Sequence, residues 1–201
     1  MEINEVNFSN LGFLKIILSD DDVKPIVYEV EQLQKNFDDA VRFNQGLAGH
    51  LNNEYYLFEC KTYMESLLLP LVYEYKDKFS HFECKEKGYF LENVWVNYQK
   101  KHEFNPVHHH SGVFSFAMWL KIPYSIEDEY KTFPHILQHE NITANFCFQY
   151  TDVLGDIQRY PIPADKSWEN MLVFFPSKLR HFVNPFYTSD DYRISVSGNF
   201  A

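Results

Sequence analysis

Glycine is scarce in this chain of 201 residues: there are 7, beside 9 prolines and 3 cysteines. With no Gly/Ser-rich stretch and no internal repeat, a collagen-like chain, a linker protein and a repeat solenoid are excluded. No segment approaches the roughly 18 uncharged apolar residues that a membrane-spanning helix needs. Cys60, Cys84 and Cys147 are odd in number and widely spaced, which fits reduced thiols in a cytosol-like compartment. Positive charge is also short. Lys and Arg total 18 against 28 Asp and Glu, giving a formal charge of -10 and a pI near 5.3. Such a chain is poorly suited to broad binding of phosphate backbones, so we expect no nucleic-acid partner and no membrane partner. The opening "MEINEVNFSN" carries acid where a secretory leader carries positive charge, so a cytoplasmic location is expected.

Aromatic residues are plentiful, with 19 Phe and 14 Tyr in a chain that is 45% hydrophobic. That is globular material, and the length suits one domain, residues 1–201. The pattern changes once along it. Residues 1–89 read as a helical lead-in. "SDDDVKPIVYEVEQLQKNF" has an acidic start, and Ile26, Val30, Leu33 and Phe37 recur at helical spacing. A second helix is expected from about 60 to 79, with Pro70 kinking it or starting a new turn. Between them "FNQGLAGHLNNEYYL" reads as a loop. From 90 to 201 the pattern is β: "YFLENVWVNYQ", "VFSFAMWLKIP", "ANFCFQYTD", "NMLVFFPS" and "YRISVSGNF" are short and bounded by turn residues. "DVLGDIQ" supplies a hairpin turn near Leu154-Gly155. Helices followed by many short strands predict a mostly β sandwich or barrel with N-terminal helices against one face.

The chemistry concentrates in "NPVHHHSGVFSFAMWLKIP". On an extended segment His108 and His110 share one side while His109 points away. Imidazoles at i and i+2 can chelate one ion, and neutral imidazole suits iron, zinc or copper. His181, at the start of a strand-like run, is the best third ligand, and Arg193 follows twelve residues later. His50, His81, His102, His135 and His139 are read as residues without a metal role. A run of three histidines also makes an ordinary polar loop, and a lone His181 would ordinarily be structural.

"WVNYQKKHEFNPVHHHSGVFSFAMWLKIP" followed by "MLVFFPSKLRHFVNPFYTSDDYRISVSGNF" resembles the Fe(II)/2-oxoglutarate-dependent oxygenases. Within them it is similar to the prolyl-4-hydroxylase-like group, and there to oxygenases of bacteria and marine phages. The resemblance spans roughly 91–201 and implies a double-stranded β-helix (jelly-roll) with iron near one open end. It implies Fe(II) and 2-oxoglutarate as cofactors, with ascorbate as support, and a host cytoplasm if the chain is viral. His108 falls on the first metal ligand and His181 on the distal one. Arg193 falls on the residue that pairs with the 2-oxoglutarate carboxylate, Ser195 on its companion hydroxyl, and Tyr98 and Trp119 on cosubstrate-pocket positions. A guanidinium is suited to that task because its planar fork matches a carboxylate.

The second ligand departs from the family pattern, because His110 stands where H-x-D/E carries a carboxylate. Three neutral imidazoles give the metal one negative charge fewer and can shift its preference towards zinc, nickel or copper. A two-histidine site completed by water, and His109 in place of His110 after a bulge, are the alternatives. Lys121, with the parity of Trp119, is a second candidate for the carboxylate but reads better as a surface residue. Phe114, Phe116, Phe146, Phe148 and Phe174 are candidate apolar walls, and "SIEDEYKTFPHILQHENIT" (125–143) a candidate lid. The implied activity is hydroxylation of a C–H bond, of a prolyl or other protein side chain or a small molecule. The competing readings are a cupin-like metalloprotein without 2-oxoglutarate and a non-enzymatic jelly-roll module. The acid that a cupin places soon after HxH is absent from 111–121.

Overall fold

The computed structural model describes residues 2–5, 10–43, 48–84, 86, 88–137 and 140–201. His139 and residues 44–47 of the expected loop lie outside them. Helix α1 (Asp20–Lys35) starts where Ser19 and Asp22 satisfy each other's backbone N–H groups, at 3.2 and 2.9 Å. Helix α2 (Lys61–Lys78) continues through Pro70. A short helix α3 spans Ile126–Lys131.

The five expected strands form as β3 (Leu91–Gln99), β5 (Phe114–Lys121), β6 (Phe146–Thr151), β8 (Met171–Pro176) and β10 (Arg193–Phe200). The two histidine segments are strands β4 (Asn105–His108) and β9 (Arg180–Val183). Three further strands complete the set. They are β1 (Leu14–Ile17), β2 (Glu54–Tyr56) inside the expected loop, and β7 (Ile157–Ile162). β7 holds Pro161, which an edge strand tolerates. The β6–β7 turn lies where expected, with Gly155 at φ +91° and Asp152 N–H bonded to Asp156 O.

Strand order is β1-β8-β5-β10-β3-β2 in the larger sheet and β4-β9-β6-β7 in the smaller. Every pairing is antiparallel, and the two-sheet arrangement is a jelly-roll. Each long strand of the larger sheet presents alternate residues to two different environments. Val94, Val96, Tyr98, Ile194 and Val196 pack with Val30, Met64, Leu68 and Tyr75 of the helices. Burying each such side chain contributes about 1.5–3 kcal/mol. On the other face Trp119, Phe146, Phe148 and Phe175 form a second core between the sheets. The first core keeps the helices out of the site, as expected. The second leaves a cleft beyond it.

Candidate active site

Strand pairing brings the two histidine segments together. His108 and His181 are direct neighbours across the β4–β9 ladder, so their side chains leave the sheet side by side. His110 arrives differently. β4 ends at His108, and His110 lies in the following turn, where its N–H donates to Ser177 O at 2.9 Å. Gly112 closes that turn at φ +82°; a Cβ there would lie 2.6 Å from Phe200 O. The structure brings His108 and His110 together, but a pinned turn rather than strand alternation carries His110 inward. His109 is exposed.

One nitrogen from each of His108, His110 and His181 lies within 4.8 Å of the others, and no carboxylate joins them among the described residues. His108 Nδ1 is 2.7 Å from Pro106 O and His181 Nδ1 is 3.0 Å from Leu179 O. With Nδ1–H donating to its backbone carbonyl, each ring keeps a lone pair on Nε2. His110 Nε2 and His181 Nε2 are 3.2 Å apart. Two nitrogen ligands about 2.0–2.1 Å from one metal would be separated by about 3.0–3.4 Å, so the spacing suits a shared ion. Burial, then the neighbouring imidazoles, lowers the pKa of His110 to about 3, and burial lowers those of His108 and His181. Protons therefore do not compete for these nitrogens at neutral pH. The donor set fits a metal.

A narrow cleft, with about 40 Å³ of interior space, runs from the histidines to Arg193. Arg193 is 2% exposed and has no ion-pair partner among the described residues. Its Nη1 donates to Tyr124 Oη at 2.6 Å and Ala144 O at 2.7 Å, and its Nη2 to Gln99 Oε1 at 2.6 Å. Further bonds reach Asn184 O and, from Nε, Gln99. All its acceptors among the described residues are neutral, so no carboxylate bonds this buried cation at the cleft. An incoming carboxylate would exchange with one of those acceptors, and the site fits such an anion.

Ser195 and Trp119 line this cleft and face each other across the β10–β5 ladder. Tyr98 does not. It shares the parity of Ile194, packs in the helix-side core and donates to Val30 O at 2.5 Å. Its expected place beside the cosubstrate is thus corrected: Asn97 and Gln99, its neighbours in sequence, line the cleft instead. Lys121 pairs with Asp191 at 2.6 Å on the surface. Of the five expected phenylalanine walls, Phe116 and Phe146 line the cleft. Phe114 and Phe174 belong to the helix-side core, and Phe148 to the inter-sheet core. No described residue of 125–143 lines it. Ala48, Gly49, Leu51 and Glu54 contribute instead, and Glu129 of α3 binds the N–H groups of Tyr187 and Thr188.

The family model described as "Putative 2OG-Fe(II) oxygenase" matches residues 93–199, just over half of the chain. This chain belongs to the 2OG-Fe(II) oxygenase family. No curated protein matches it in sequence. Among solved structures, a Pseudomonas putida prolyl-4-hydroxylase matches at TM-score 0.55 and 13% identity, covering 94% of this chain and 92% of that one. A prolyl hydroxylase from Trichoplax adhaerens, solved with a hypoxia inducible factor peptide fragment, matches at 0.58 and 11%, covering 94% and 83%. The 2-oxoglutarate-dependent epimerase SnoN from nogalamycin biosynthesis matches at 0.56 and 12%, covering 95% and 78%. At such identities these neighbours establish the jelly-roll of an oxygenase and leave its reaction open. The family implies Fe(II) and 2-oxoglutarate.

Sequence reasoning missed Tyr124, Gln99, Asn97 and Glu54. A signal for two of them was present in "VWVNYQ", where Val94, Val96 and Tyr98 alternate with Trp95, Asn97 and Gln99. Apolar parity assigns Tyr98 to the core and the amides to the opposite face. Asn97 Oδ1 and Asn105 Oδ1 are buried at the cleft without a hydrogen-bond partner. An orphaned buried acceptor costs about 1–3 kcal/mol.

Proposed function

We propose that this oxygenase hydroxylates a substrate C–H bond, with succinate and CO2 as co-products. The observation that carries this reading is one cleft holding three convergent imidazoles and a buried guanidinium without a counter-ion. His108, His110 and His181 are the metal ligands in this reading. Arg193 binds the distal carboxylate of 2-oxoglutarate, with the hydroxyls of Ser195 and Tyr124 beside it. Trp119 walls the cosubstrate, and Phe146 and Phe175, whose rings lie 5.6 and 5.0 Å from that of His181, exclude water from the ligands.

When bound, Fe(II) and 2-oxoglutarate supply the oxidising power: one oxygen atom of O2 ends in succinate and the other in the hydroxylated product. Ascorbate supports turnover by keeping the iron reduced. With His110 in place of the usual carboxylate the three ligands are neutral, so the metal's charge would be balanced only by the anionic oxygens that 2-oxoglutarate brings. The neighbours' names include prolyl hydroxylases and an epimerase, and of these outcomes we take hydroxylation, of a protein side chain or a small molecule. Arg193 in the same cleft as the histidines favours this over a cupin-like metalloprotein, in which it would have no task.

The test is succinate release from 2-oxoglutarate by purified protein with Fe(II) and ascorbate. Arg193→Ala should weaken 2-oxoglutarate binding about 10–100-fold, the loss of one or more charge-assisted bonds, while iron content holds. Arg193→Lys retains the charge and should fall between, which guards against misfolding of the alanine variant. Wild-type affinity in Arg193→Ala, or no succinate from iron-loaded wild type, overturns the reading.

A further inference from the structure

The histidine cluster is built without negative charge. Its ligands are three imidazoles, and no carboxylate joins them among the described residues. Their outer partners are neutral as well. His108 Nδ1 and His181 Nδ1 each meet a backbone carbonyl, of Pro106 and Leu179, rather than a carboxylate, the other common partner of a metal-bound histidine. Glu54, the one acid lining the cleft among the described residues, is already engaged and stands outside the cluster. Cations, by contrast, are at hand. Arg193 shares the cleft, and Lys178 Nζ donates to His110 O at 3.2 Å. His181 is 5% exposed, so water screens little of the charge that a metal would bring. Nor is His110 free to give way to another ligand. Its N–H is held by Ser177 O, and its ring lies 5.5 Å from that of Trp95 and 5.0 Å from that of His181.

A divalent ion on these ligands keeps its whole positive charge and shares a narrow cleft with a guanidinium. A dianion entering that cleft offsets both charges at once, and it gains most where both are present. We propose that His110 makes metal retention conditional on the dicarboxylate cosubstrate: the ion binds weakly by itself and tightly once 2-oxoglutarate is in the cleft. A carboxylate at position 110 would supply part of that charge permanently and so loosen the dependence. Linkage makes the effect reciprocal, so the metal raises 2-oxoglutarate affinity by the same factor. The inference rests on the oxygenase reading for the identity of the two ligands, and it adds the dependence of each on the other.

Titration of the full chain with Co(II), which imidazole binds well, tests this by visible absorption with and without saturating 2-oxoglutarate. Each titration is corrected by the same one without protein. 2-Oxoglutarate should tighten Co(II) binding about 10–100-fold, within the usual span for coupled sites. His110→Asp and His110→Glu place the family's carboxylate at two lengths. At least one of them should bind Co(II) more tightly than wild type when 2-oxoglutarate is absent, with a coupling factor about tenfold smaller. A damaged fold would not produce that gain. A change of less than about threefold in wild-type Co(II) affinity on adding 2-oxoglutarate overturns the proposal. So do two carboxylate variants that bind Co(II) no more tightly than wild type. Calorimetry with 2-oxoglutarate in excess Co(II) separates the two failures. No binding there overturns the oxygenase reading, whereas binding that leaves metal affinity unmoved overturns the coupling alone.

Discussion

On one side of β10 lie Ile194 and Val196, packed against the helices; on the other lie Arg193, Ser195 and Ser197, lining the cleft. The same backbone serves both, because successive side chains alternate faces. The two faces differ in what they leave unfinished. The helix-side face is closed: Val96, Phe114, Phe174 and Val196 are fully buried in apolar contact, and Tyr98, its one buried hydroxyl on β3, is bonded to Val30 O. The cleft face keeps a cation without a counter-ion, two amide oxygens without donors and three imidazole lone pairs aimed at one point. A fold seeking only stability would have filled those positions with apolar residues. The contrast supports the cleft as the working face proposed above.

Removing one residue from each face makes the sharpest test. His181→Ala should reduce metal affinity by more than the roughly 10–100-fold that loss of a supporting residue costs, and should abolish succinate formation. Metal analysis after dialysis reads this directly. Phe174→Ala, on the opposite face, should lower unfolding free energy by about 3–5 kcal/mol while the folded fraction retains its metal. Denaturant titration checks it. A Phe174→Ala protein that is stable but metal-free would break the division between the faces.

The division was legible in part. Alternation in "RISVSGNF" and "VWVNYQ", together with β-branched and aromatic runs, located the five principal strands to within one or two residues. The histidine pairing followed from type and order alone. β1 and β2, of four and three residues, are too short to show a period, and β7 carries a proline that reads as a turn. Tyr98 was misplaced because a family position was preferred to the parity of its own strand. Asn105 and Glu54 were invisible for another reason. They reach the site only through the β4–β9 and β2–β3 pairings, and no local pattern reveals which strands become neighbours.

Tyr98→Phe sharpens the comparison at a smaller scale. It deletes the hydroxyl bonded to Val30 O, so stability should fall by about 0.5–1.5 kcal/mol. Affinity for 2-oxoglutarate should not change, since the ring faces the helices. A tenfold loss of that affinity would return Tyr98 to the cosubstrate pocket and move the boundary between the faces.

The smallest effect lies on the closed side, at the start of α1. Asp22 accepts from Ser19 Oγ at 2.6 Å and from Ser19 N, and these bonds hold its carboxyl below the ordinary carboxylate value of 3.8. Its folded form binds protons less readily than its unfolded form, so stability rises with pH across that interval. The contribution is fully present above the unfolded value and is lost as pH falls through the folded one. Asp22→Asn removes the charge but retains a side-chain oxygen, so wild type should exceed the variant slightly at pH 6 and converge with it at pH 2–3. Thermal melts of both across that range are the measurement. A gap that persists at pH 2 would mean that geometry at the cap, rather than ionisation, fixes the helix that covers the closed face.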